Sequence, residues 1–132
     1  TQETQHLKSA VAALSRRRRG AESTADILVD LLVGDSPERV TEQLISRYER
    51  LIACARQPSL RDIQRRILKH RTDAVVEVVE RCGRSVRAEL VSALVCAVDG
   101  AVVAALVADG DGPRATARAT LIDVIDVLAP FS

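Results

Sequence analysis

The segment from Val86 to Ala108, VRAELVSALVCAVDGAVVAALVA, limits the fold more than any other part of the chain. It is long enough for about six helical turns and is apolar on nearly every side. Glu89, Ser92, Cys96 and Asp99 gather its polar groups on one narrow stripe. A helix this greasy has to be covered. Its length also falls within the range of a membrane span, ~17–25 residues. Asp99 near the middle, an interior rich in alanine and glycine, and the lack of a tryptophan belt or basic flank argue against lipid. Protein, not membrane, is the expected cover.

Two rows of side chains run along this helix. Ala93, Ala97, Gly100, Ala101, Ala104 and Ala108 recur every three or four positions and form a smooth seam. Leu90, Leu94, Val98, Val102 and Leu106 form a bulkier ridge. A seam of small residues lets a second backbone come close, and a glycine inside a helix costs about 1 kcal/mol unless contact offsets it. One face is expected to meet the chain's own core. The other meets either a second molecule or more of the same chain.

At 132 residues the chain is the size of one domain with a single real core. Methionine is absent throughout, so the chain is expected to be part of a longer protein, entered in mid-helix near Thr1–Leu7. No signal peptide or lipidation motif is expected from these residues. Cys54, Cys82 and Cys96 stand far apart with no C-x-x-C pair, which fits reduced thiols used as small apolar filler in the cytoplasm. Net charge is +1, but the signs are segregated. Residues 88–132 carry only Arg114 and Arg118 against six carboxylates, too acidic for a nucleic-acid surface.

Taken in order, every element reads as helix, and no stretch alternates long enough for a strand. Gln2–Arg18 presents Leu7, Ala10, Val11 and Leu14 on one face. Arg16–Arg19 and Gly20 follow, a run that suits either a phosphate patch or a helix C-terminus, where cations complement the dipole and glycine stops the turn. Without interleaved aromatics, the helix-ending role is expected. Ser23, with Asp26 three residues on, opens a second helix whose apolar face is Ile27, Leu28, Leu31 and Leu32, and Gly34 ends it. Asp35-Ser36-Pro37-Glu38 is a strong start for a third helix running to about Arg56, with Val40, Leu44, Tyr48, Leu51 and Ala55 in one stripe. Pro58 breaks it. Ser59, with Asp62, then opens a long fourth helix to Cys82, lined by Leu60, Ile63, Ile67, Ala74, Val75 and Val78 and stopped by Gly83. After the central helix, Asp109-Gly110-Asp111-Gly112 makes a tight turn. It lacks the ligand spacing of a calcium loop, since Pro113 and Thr120 hold the fifth and twelfth places. A last helix from Pro113 to Pro130 buries Ala117, Leu121, Val124, Ile125 and Leu128.

No catalytic constellation is found. His6 and His70 have no cysteine or carboxylate at metal-ligand spacing, and no Glu-x-x-His repeat, phosphate-cradling loop or nucleophile elbow occurs. No metal or cofactor is expected. What remains is a possible pocket: Tyr48 and His70 put polar tips on apolar faces, and with Arg47 and Asp99 they could orient a ligand. The plainer alternative makes both residues satisfied tips at the edge of the core.

The run LISRYERLIACARQPSLRDIQRRILKHRTDAVVEVVERCG, and after it VRAELVSALVCAVDGAVVAALVADGDGPRATARATLIDVIDVLAP, resemble the regulatory domain of TetR-family transcription regulators over about residues 36–130. The resemblance implies an all-α antiparallel bundle whose last two helices pair with their twofold copy as an intermolecular four-helix interface. It implies a homodimer through Ala93, Ala97, Gly100, Ala101, Ala104, Leu121, Val124 and Leu128. By helix face it implies ligand contacts at Leu44, Tyr48, Leu51, Ile67, His70 and Leu94. Operator DNA would be bound only through a helix-turn-helix domain upstream of Thr1, and released when a small molecule occupies the regulatory domain. Residues 1–132 would then be a single effector-sensing and dimerising domain. With Tyr48 and Phe131 the only aromatics, the effector is expected to be aliphatic, or small and modestly polar, rather than a planar stacking drug. Two other classes stay open: a freestanding helical scaffold whose seam binds a different protein, and a small enzyme using His70 as general base.

Overall fold

The computed structural model describes every residue except Thr1 and Pro37, and all side chains apart from those two and residues 2–4 and 6. Six α-helices account for the described elements: α1 (Gln2–Ala12), α2 (Ala21–Leu32), α3 (Val40–Arg56), α4 (Arg61–Arg81), α5 (Ala88–Val107) and α6 (Pro113–Leu128), with a 3-10 turn at Pro58–Leu60 before α4. The protein is all-α. The hairpin of α5 and α6 is its most extensive helix pairing, α6 packs in turn on α2, and α1 lies along α4.

The core forms where apolar stripes converge. Leu28, Leu32, Leu44, Val75, Val78, Val79, Leu94, Val98, Leu121 and Ile125 are all covered. Of the two rows on α5, the bulky one turns inward, with Leu94, Val98 and Val102 buried. Asp99, halfway along this helix, is paired with Arg71 of α4 at 3.1 Å. Among the described residues α5 alone is long and apolar enough to cross a membrane. An ion pair at mid-helix and a face packed on its own chain are what a helix covered by protein requires.

The helix ends show where local signals were overruled. Helix α1 stops at Ala12, and Arg16–Arg19 leave it in an irregular linker rather than closing its last turn. Arg17 and Arg19 donate their amides to the carbonyls of Arg81 and Cys82, at 3.0 and 3.1 Å. The Arg19 side chain turns inward to donate to the Arg81 carbonyl at 3.1 Å. Gly20 is accordingly the N-cap of α2 rather than a stop, and Asp26 forms no cap. Instead Asp26 and Asp30 meet Arg118 and Arg114, each at 2.6 Å, joining successive turns of α2 and α6. Helix α3 begins at Val40, after Arg39, without a side-chain cap; Pro37, expected in its first turn, lies outside the described residues. Gly34, at φ 118°, ends the second helix as expected.

The link between α4 and α5 is the tightest crossing. Ser85 donates to the Pro130 carbonyl and Ser132 to that of Gly83, both at 3.0 Å, so the C-terminus is held on one side and residues 17–19 on the other. Gly83 has φ 74°, and a Cβ there would stand 3.2 Å from the Arg18 Cα. Gly83→Ala is therefore expected to cost about 1–2 kcal/mol, read as a lower thermal midpoint with unchanged helix content.

Candidate functional site

Helices α1 to α4 line a cleft of about 620 Å³, α1 through Leu7. The end of α2 contributes Leu31 and Val33, α3 contributes Arg47 and Arg50, and Arg71 comes from α4. Arg71 sits on the buried stripe of α4, four residues after Ile67 and four before Val75, and only 7 % of it is exposed. A guanidinium so covered needs a partner. Asp99 provides it, accepting from both terminal nitrogens at 3.1 and 3.4 Å. Arg47, half-buried, donates to the Leu32 carbonyl at 2.8 Å and so closes the end of α2 onto α3.

Tyr48 lies outside the lining of the cleft but within the field of Asp99, Arg47 and Arg71. Its hydroxyl is buried and has no hydrogen-bond partner. Burial, and then the negative charge of Asp99, raise its phenol pKa, against the opposing pull of Arg47 and Arg71. As Tyr48 is the sole tyrosine and tryptophan is absent, a phenolate absorbance titration reads this one group. The midpoint is expected above the ordinary value of about 10. Asp99→Asn is expected to lower it, because one of the charges opposing the phenolate is then gone. The sign for stability follows: the contribution is fully present below the ordinary phenol pKa and is lost as pH rises through the raised folded value.

The six ligand positions expected from sequence do not line one cavity. Leu44 and Leu94 are fully covered core residues. Leu51 borders a shallow depression with Cys54 and Leu68. His70 borders a separate groove between α1 and α4, beside Val11 and Ala74. Ile67 is half-buried on α4. Tyr48 and Asp99, with Arg47, do come together, through an arginine the sequence reading passed over. Arg71 was hidden among the many cations of α4; its place in the row 67, 71, 75, 78, 82 was the available signal.

A second surface lies on the outside of the hairpin. Ala93, Gly100 and Ala104 are exposed, and Ala97 and Ala101 half-buried. Beside them Val103 and Val107 are 47 % and 90 % exposed, and on α6 Val127 is 76 % exposed. Leu121 corrects the expected interface: with 0 % exposure it belongs to the protomer's core. It shares the inner stripe of α6 with Ala117 and Ile125, one helical turn either side. Val124 and Leu128 are partly buried against that core.

An all-helical bundle with a cleft and an uncovered apolar hairpin face is the class these features define. The chain matches the family described as tetracyclin repressor-like, C-terminal domain, over residues 19–127, and it belongs to that family. Neither a curated protein nor a solved structure matches it.

Proposed function

We propose that this chain is the effector-sensing and dimerising domain of a cytoplasmic transcriptional regulator. The intact protein, carrying an N-terminal helix-turn-helix, releases operator DNA when a small molecule fills the cleft. Family membership supports the regulatory role. The observation that carries the dimer is the outer face of α5 and α6. Val107 and Val127 stand in solvent, and a Cβ at Gly100 would meet nothing within 4 Å. Nothing in the protomer requires a glycine there, so a contact beyond the chain is what offsets its cost in a helix. A stable dimer through two such faces is expected to bury about 1,600 Å² in total, the usual size of a specific interface.

Sedimentation over a range of concentrations tests this. The expected species has twice the 14.3 kDa mass of the chain. A stable monomer at high concentration overturns the dimer and with it the regulator reading. The freestanding-scaffold alternative then becomes the better account.

A further inference from the structure

We propose that the cleft takes a small organic anion whose charged group engages Arg71 and Arg47 and competes with Asp99 for the Arg71 guanidinium. This rests on the reading of the cleft as the effector site and names the chemistry of the effector. The charged lining is sorted by depth. Asp30, Asp35 and Glu42 in the wall are all exposed, as are Arg39 and Arg50. The two charged side chains with the least exposure, Arg71 and Arg47, are both cationic. Asp30 is in addition engaged by Arg114 at 2.6 Å. Buried Leu7, Leu31 and Val33 in the same lining give a short apolar body somewhere to lie.

The guanidinium suits this exchange. Arginine has five N–H donors in a fixed fork that fits a carboxylate or phosphate, and Asp99 accepts from two of the nitrogens. Asp99 belongs to the middle of α5, so an anion that draws Arg71 toward the cleft loosens an ion pair that ties α4 to the hairpin. The unpartnered Tyr48 hydroxyl stands in the field of the same carboxylate, so a change in the Arg71–Asp99 pair is felt at the phenol. Ligand charge is thereby transmitted to the helix whose outer face carries the proposed dimer contact.

The test uses three probes with one apolar body and different heads: hexanoate, hexanol and hexylamine. Inorganic phosphate serves as a head group alone, and chloride holds ionic strength constant. Emission from Tyr48, the only tyrosine in a chain without tryptophan, reports occupancy. Hexanoate is expected to bind about ten-fold tighter than hexanol, with hexylamine weaker than both. Asp99→Asn, which removes the competitor, is expected to tighten hexanoate binding about three-fold. Arg71→Gln alone strands a half-buried carboxylate, so the double variant Arg71→Gln/Asp99→Asn is used for the loss. It is expected to bring hexanoate down to the affinity of hexanol, with the helical circular dichroism retained. Hexanol or hexylamine binding as tightly as hexanoate overturns the proposal. So does hexanoate binding unchanged in the double variant, or no saturable binding of hexanoate or phosphate up to about 50 mM. Sedimentation of the same samples separates the two readings. A dimer that prefers hexanol overturns the anion and leaves the sensing domain standing; a monomer that prefers hexanoate does the reverse.

Discussion

Replacing Arg84 by alanine is expected to destabilise the fold by about 3–5 kcal/mol, the range for dismantling a buried charged network. For a domain of this size that lowers the thermal midpoint by roughly 10–20 °C. The Arg84 side chain has no exposed surface. Its Nε and Nη2 donate to the Arg19 carbonyl, both at 3.3 Å, and its Nη1 donates to the Ala129 carbonyl at 3.0 Å. Truncation takes the Arg84 donor from the Ala129 carbonyl and leaves the Arg19 carbonyl to the Thr24 hydroxyl at 3.4 Å, at about 1–3 kcal/mol for an acceptor left unsatisfied in the interior. It also removes one face of a stack, since Arg84 and Arg18 each lie 4.0 Å from the centre of the Phe131 ring. The linker after α1, the turn after α4 and the C-terminus would all lose their shared post. Asp126, which accepts from Nη1 at 2.9 Å, is the internal control. Its side chain is 68 % exposed, so water screens the pair and Asp126→Ala is expected to cost only about 0–1 kcal/mol. Chemical or thermal denaturation of the two variants side by side decides the matter. Equal losses would mean that the ion pair, not the carbonyl network, holds the joint.

Arg84 also marks the limit of what the sequence discloses. The central helix, the start of α6 at Pro113 and the glycine stops at 34 and 83 are local matters, set by φ and by 3.6-residue spacing, and they were legible. So was the inward turn of Leu94, Val98 and Val102. The arginines were not. Arg16–Arg19 have the composition of a helix end, yet the linker they form is set by pairing with residues 81 and 82, a contact across more than sixty positions. No local rule anticipates such a partner. Arg71 and Arg84 likewise gain their burial from carbonyls and a carboxylate supplied by distant elements. Asp99 was visible as the one charge near the middle of a greasy helix; that its partner stood on the stripe of α4 needed the fold. Leu121 shows the opposite error. It carries the right residue type for an interface, but one turn's difference around α6 decides between core and partner.

The largest effect on association is expected at Gly100. Because a Cβ there meets nothing within the protomer, substitution carries no steric cost for the isolated fold. In a monomer, Gly100→Ala and Gly100→Leu would each stabilise α5 by up to about 1 kcal/mol, the ordinary gain from removing a mid-helix glycine. In a dimer joined along the small-residue seam the sign reverses for leucine. Its side chain would stand where the partner backbone comes closest, holding the helices apart and opening the contacts of Val103 and Val107 to water. The expected result is a dimer weakened about 100-fold or more, with helix content intact. Val127→Lys, placing a charge on the exposed face of α6, is expected to weaken association about ten-fold, while in a monomer a surface change of this kind stays within about 0.5 kcal/mol. Sedimentation and thermal melts on the same two proteins give opposite signatures for the two cases. Loss of the dimer with Gly100→Leu identifies the seam as the contact; a more stable protein with unchanged mass would mean the glycine serves some other approach, and the apolar face of the hairpin would need another occupant.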